Sequence, residues 1–161
     1  MDKYSENCSP ALREKIIRLK KLAIGQVAPD IVLPNPDGKM IPLSSLIGSN
    51  VVMVYFWASW CNGCEEENPN IAEIYNKYQD RGFAIYSVSL DSDKKEWLKA
   101  IEKHQFTWTN VCDLKEWESE TVETYSVNKT PAIYLLNREG RIMSKNIRGK
   151  ALEMKVREFF P

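Results

Sequence analysis

Val51-Val52-Met53-Val54-Tyr55-Phe56-Trp57-Ala58-Ser59-Trp60-Cys61-Asn62-Gly63-Cys64 is the stretch on which the fold turns. Val51 to Trp57 is an unbroken β-branched, apolar and aromatic run, the composition of a central strand covered on both faces. Two cysteines follow in a Cys-x-x-Cys spacing. From Glu65 onward the period changes: Ile71, Ile74, Tyr75 and Tyr78 fall at i, i+3, i+4 and i+7, the apolar stripe of a helix. A strand that ends at Cys61 and a helix that begins near it put that sulfur beside free backbone N–H groups. There the positive end of the helix dipole favours a thiolate.

Downstream, Phe83 to Leu90 reads as a second buried strand, and Asp93 to His104 as a helix with Trp97, Leu98 and Ile101 inward. A short strand around Asn110-Val111-Cys112 and a helix over Glu118 to Tyr125 come next. Ala132 to Leu136 is a third core strand. Arg138-Glu139-Gly140 turns it into an antiparallel edge strand, Arg141 to Ile147, and Leu152, Val156, Phe159 and Phe160 mark a closing amphipathic helix. Upstream, Asp30 to Leu33 and Met40 to Leu43 flank the turn-forming Asn35-Pro36-Asp37-Gly38 and predict a β-hairpin. Leu12, Ile16, Leu19 and Leu22 recur at helical spacing, with Ser9 as N-cap, Pro10 at the first helical position and Gly25 as the stop. The expected class is α/β: a mixed central sheet flanked by helices, with an N-terminal β-hairpin and an extra N-terminal helix. The expected division is an N-terminal helical extension over residues 1–23 and one domain over 24–161.

A chain of 161 residues with 43% hydrophobic and 27% charged side chains suits one soluble domain with a substantial core. Acidic and basic residues cancel at 22 each, so no long-range field draws in a phosphate backbone, and nucleic acid is not an expected partner. The start, Met1-Asp2-Lys3-Tyr4-Ser5-Glu6-Asn7, lacks the apolar run of a signal peptide. Val51 to Ala58, the longest apolar run, is too short to cross a bilayer. An exported protein stripped of its signal or anchor reads the same way.

Four cysteines are too few, in a chain of this size, to build a disulfide framework. Cys8 and Cys112 are left as free thiols or a pair, since sequence does not supply the geometry a bridge needs. A Cys-x-x-Cys alone is ambiguous between metal and redox use. Zinc needs about four ligands, and this chain has no second such motif and one histidine, His104. A Cys–His hydrolase would rest on that histidine alone, with no third group to orient it. Redox exchange needs two sulfurs and a thiolate-favouring setting.

The segment Val54 to Cys64 resembles the active-site segment of thioredoxin-fold proteins, where a Trp precedes the first Cys. Pro69, five residues after Cys64, matches that family's helix-kinking proline, and Thr130-Pro131 matches the position of its cis-proline. The hairpin from Asp30 to Leu43 and the placing of Glu67 with Pro69 two residues on are similar to the TlpA/ResA-like, also DsbE-like, branch of exported bacterial disulfide reductases. The resemblance spans about Ile24 to Phe160. It implies a thioredoxin-like fold and a catalytic pair, Cys61 as nucleophile and Cys64 as resolving thiol, with Glu67 as proton carrier. Trp60, Thr130 and Pro131 form the expected substrate-binding surface. No cofactor is implied beyond the redox-active Cys61–Cys64 disulfide, and no metal.

The implied partners are protein thiols and disulfides and an upstream dithiol reductant such as a membrane thiol-transfer protein. The implied location is exported, periplasmic, with the cytoplasm as the alternative; membrane contact would come only through a segment absent from this chain. One departure matters. Thioredoxin has a buried Asp six residues before the first Cys, where this chain has Tyr55, so Glu67, working with water, is the candidate replacement. Asn62-Gly63 supplies no cation and Glu65, Glu66 and Glu67 follow, which disfavours thiolate and points to a reductant. A thiol peroxidase of the same fold is the enzymatic rival, but the Thr and Pro that peroxiredoxins place three and seven residues before their reactive Cys are Ala58 and Val54 here. A thiol-based module carrying copper or zinc is the non-enzymatic rival. Trp97, Trp108 and Trp117 read as structural.

Overall fold

Every side chain from Val51 to Trp57 is buried, and this strand is the middle of a five-stranded sheet. The structure, a computed structural model, describes residues 9–161. Numbered along the chain, the elements are α1 (Pro10–Lys21), β1 (Val32–Pro34), β2 (Met40–Pro42), β3 (Val51–Trp57), α2 (Asn62–Tyr78), β4 (Phe83–Ser89) and α3 (Lys94–His104). They continue with β5 (Thr109–Val111), α4 (Glu120–Thr124), β6 (Ala132–Leu136), β7 (Ile142–Lys145) and α5 (Gly149–Arg157). Cys8, and with it any pairing to Cys112, lies outside the described residues.

The sheet order is β5-β4-β3-β6-β7. β3 runs parallel to β4, with Tyr55 opposite Ser87, and antiparallel to β6, with Tyr55 opposite Ile133. Alternation along β3 then sorts its side chains between two layers. Tyr55 and Trp57 point to the helical layer: the Tyr55 hydroxyl meets Asn68 of α2, and the Trp57 ring lies edge-on to Phe106, centroids 4.9 Å apart. Phe56 points the other way, 5.4 Å from Tyr125 and 6.3 Å from Tyr134. On that face the Tyr86 hydroxyl donates to the Ile41 carbonyl of the hairpin at 2.7 Å. The mixed sheet, the covering on both faces and the β1–β2 hairpin agree with the sequence expectation.

α1 forms where expected, with Ser9 as its N-cap, but its apolar stripe stays on the surface: Leu12 and Leu19 are exposed, and only Leu22, just past the helix end, enters the core. Three local expectations need correction. In α3 the buried face is Trp97 and Ala100, three positions apart, which turns Leu98 outward. The predicted helix over Glu118 to Tyr125 is a 3-10 turn at Glu116–Glu118 followed by the short α4. α5 ends at Arg157, so Phe159 and Phe160 follow the helix instead of closing it.

Phe160 is nonetheless a keystone of the helical layer. Its ring stacks on Tyr78 at 5.1 Å, meets Phe83 edge-on at 6.5 Å, and is covered by the guanidinium groups of Arg81 and Arg138 at 5.5 and 5.4 Å. Phe160→Ala is expected to lower the unfolding free energy by about 3 kcal/mol, as a shift in the denaturant midpoint followed by circular dichroism.

Candidate active site

α2 begins at Asn62, three residues before the helical pattern becomes legible at Glu65, because Cys61 is its N-cap. The residue is extended (φ −90°, ψ 108°) and its sulfur accepts the Cys64 N–H at 3.2 Å, the task that Ser, Thr or Asp performs in most helices. Cys61 and Cys64 are joined as a disulfide, with Cα atoms 5.2 Å apart. Cys64 is fully buried, whereas Cys61 keeps 6% of its surface open. Of the two residues, only Cys61 reaches the surface.

Asp91 anchors the loop between β3 and Cys61, and it is a residue that sequence reading missed. It follows Leu90 at the end of β4 and is 1% exposed. Both its oxygens accept the Ser59 N–H at 3.2 Å, and the hydroxyls of Ser59 and Ser89 also donate to it. The only sequence signal was an acid closing an apolar strand. Nearby, the Cys112 sulfhydryl reaches the Asp91 carbonyl at 3.5 Å. Burial pushes this thiol up, so it stays protonated at neutral pH.

Cys64, Asn68 and Ile71 form the buried stripe of α2 next to β3. The Tyr55 hydroxyl donates to Asn68 Oδ1 at 2.7 Å, so at this position the chain holds a tyrosine–amide pair and not a carboxylate. Burial, with the Glu67 carboxylate adding to it, holds the Tyr55 hydroxyl far above its ordinary range, while Arg148 pulls it down. Glu67 itself is half-buried. Its Oε1 accepts the Gly149 N–H at 2.8 Å and the Asn70 amide at 2.8 Å, tying α2 to the first turn of α5. Pro69 lies inside α2, where it removes the bond to the Glu65 carbonyl.

The Thr130–Pro131 peptide is cis. Pro131 packs on the motif itself: a Cβ placed on Gly63, in the first turn of α2, would stand a tight 3.2 Å from Pro131 Cδ, so the proline comes close to the helix start where no side chain intervenes. On the outer rim, Trp60 and Trp117 are 49% and 42% exposed, with ring centroids 6.3 Å apart. Trp97 and Trp108 are buried, as expected of structural residues, but Trp117 is not. Lys103 of α3 pairs with Glu65 at 2.8 Å and holds that carboxyl below its ordinary value. Among the described residues no group of three or more His, Cys, Asp or Glu side chains is placed to hold a metal ion.

A strand-to-helix turn carrying a Cys-x-x-Cys disulfide, closed over by a cis-proline loop, defines a thioredoxin-like redox site. The chain belongs to the AhpC/TSA family, which matches it over residues 24–145. It is similar to the thiol-disulfide oxidoreductase ResA of Bacillus cereus, at 30% identity over 80% of this chain and 72% of that protein. The Bacillus subtilis ResA is 27% identical over 87% and 75%. Among solved structures, the thioredoxin domain of a thiol-disulfide oxidoreductase from Bacteroides vulgatus superposes with a TM-score of 0.80 at 35% identity, covering 87% of this chain and 99% of that one. A thiol-disulfide oxidoreductase from Bacteroides fragilis gives 0.78 at 32% identity, over 84% and 100%. The expected thioredoxin-like fold and its ResA- and DsbE-like relatives are thus found.

Asp91→Ala would strand the part-buried Ser59 N–H and the hydroxyls of Ser59 and Ser89 without this acceptor. The expected loss is at least about 2 kcal/mol of unfolding free energy, measured by urea denaturation of the oxidised protein, with a smaller loss for Asp91→Asn.

Proposed function

We propose that this protein reduces disulfide bonds in exported proteins, cycling between the Cys61–Cys64 dithiol and its disulfide. The observation that carries this reading is the disulfide at the start of α2, with one sulfur open and the other buried. The Cys61 thiolate attacks one sulfur of a partner disulfide, forming a mixed disulfide and expelling the other sulfur as a thiolate. Cys64 then loses its proton and attacks Cys61 Sγ, closing the intramolecular disulfide and releasing the partner's second thiolate. Two electrons pass to the partner, and two protons restore its thiols. An upstream dithiol, such as a membrane thiol-transfer protein, returns the pair to the reduced state. No helix among the described residues is long and apolar enough to cross a membrane. The periplasm is assigned through the exported branch that the chain resembles.

Each remaining residue has a role in that cycle. Trp60, extended by Trp117, supplies an exposed aromatic surface beside Cys61 on which a partner polypeptide docks. Thr130 and Pro131 shape the strip across the motif, and Pro131 has no N–H to compete for the sulfurs. Glu67, one helical turn after Cys64, carries the proton that Cys64 must lose. The direction follows from charge: a carboxylate near the pair raises the cost of a thiolate, so the disulfide is favoured and the dithiol gives up its electrons readily.

Redox titration in glutathione buffers tests the direction, and a midpoint more oxidising than glutathione would overturn it. Cys64→Ser is expected to accumulate mixed disulfides with a disulfide-bonded test protein, whereas Cys61→Ser forms none; equal trapping by both would reverse the assigned roles. Glu67→Gln should lower the pKa of the more acidic thiol, make the midpoint less reducing and slow disulfide reduction at neutral pH. Thiolate absorbance against pH reads the first of these directly.

A further inference from the structure

We propose that Arg148 is a positioning residue for the exchange reaction, its guanidinium stabilising the anionic sulfur of the reduced Cys61/Cys64 pair. The inference rests on the oxidoreductase reading above and assigns a task to a residue distant in sequence from the motif. Arg148 Nη2 donates to the Pro131 carbonyl at 3.5 Å, and Nη1 lies 3.8 Å from where a Cβ on Gly63 would be. The guanidinium thus lies against both the cis-proline loop and Gly63, one of the two residues between the cysteines. Asn62-Gly63 holds no cation, but the tertiary structure brings one to it from the start of α5.

The placement is enforced from both sides. Asn146, in the left-handed region at φ 57°, donates its N–H to the Ile133 carbonyl at 2.7 Å and accepts the Ile133 N–H through Oδ1 at 3.0 Å. This fixes the turn two residues from Pro131. On the other side, Glu67 holds the Gly149 N–H at 2.8 Å. Local helix chemistry does not explain the choice of residue. Arg148 is the N-cap of α5 and makes no side-chain cap, and a cation there opposes the helix dipole. A local rule broken at a site of this kind points to a task elsewhere.

The other titratable groups around the motif are paired, hydrogen-bonded, neutral or exposed to solvent. Glu65 is matched by Lys103, and the oxygens of Asp91 are taken by Ser59 and Ser89. His104 is held below its ordinary value, first by burial and then by Lys103, so it is neutral at pH 7. Glu66 and Lys129 are exposed to solvent, and Tyr55 stays protonated. That leaves Glu67 and Arg148, which act on the buried Tyr55 hydroxyl with opposite signs. Among the described residues no carboxylate forms an ion pair with Arg148. Its charge therefore remains available to a sulfur anion.

Arg148→Gln keeps a donor for the Pro131 carbonyl and removes the charge, and Arg148→Lys keeps the charge. A nearby cation lowers a thiol pKa. In reduced protein, the Gln variant should therefore raise the pKa of the more acidic thiol by roughly half to one unit, read from thiolate absorbance, while the Lys variant titrates near wild type. At pH 9, where thiolate is populated, loss of the cation destabilises the reduced form, so the Gln variant should show a more reducing midpoint, opposite to Glu67→Gln. A Gln variant that titrates like wild type, or a Lys variant shifted as far as Gln, overturns the proposal. Failure of the wild-type pair to equilibrate with glutathione would instead count against the oxidoreductase reading, because the thiol titration needs no partner protein.

Discussion

The hydrogen bond from the Cys64 amide to the Cys61 sulfur is the interaction on which the site depends. It makes a redox group the N-cap of a 17-residue helix, so reactive chemistry and helix initiation share one atom. A cap sulfur sits where backbone N–H groups are unsatisfied and the dipole is positive. The geometry needs β3 to stop at Trp57 and the chain to turn within the next few residues. Asp91 enforces that turn through Ser59, and its burial at the end of β4 makes the parallel pairing of β3 and β4 part of the site's construction.

The electrostatics follow from what each carboxylate is already doing. Three consecutive glutamates at the start of α2 look in sequence like one acidic field beside the sulfurs. In the fold they separate: Glu65 is matched by Lys103, Glu66 faces solvent, and Glu67 turns inward to the start of α5. An exposed pair such as Glu65–Lys103 adds little to stability. Its consequence lies in cancelling charge near the redox pair.

Much of the architecture was legible because burial and period write themselves into local sequence. β3, β4 and β6 are apolar runs because both their faces are covered, and the hairpin announces itself through Asn35-Pro36-Asp37-Gly38. Elements that depend on partial burial read less well. Leu12 and Leu19 have helical spacing, yet spacing says nothing of whether a surface waits for them, and α1 finds one only at Leu22. Leu98 misled for the same reason, since Trp97 and Ala100 already fill the buried face of α3.

By itself, the sequence determined the strand, the Cys-x-x-Cys turn, the helix after it and the prolines at positions 69 and 131. These are local choices of backbone and side chain, and each leaves its mark within a few residues. Only the tertiary structure decided which groups surround the sulfurs. Asp91 reaches Ser59, Trp117 meets Trp60, and Arg148 comes to Gly63 from the far end of the chain. An isolated Asp, Trp or Arg carries no sign of such a neighbour, because the electric field at an atom depends on distance in space and not along the chain.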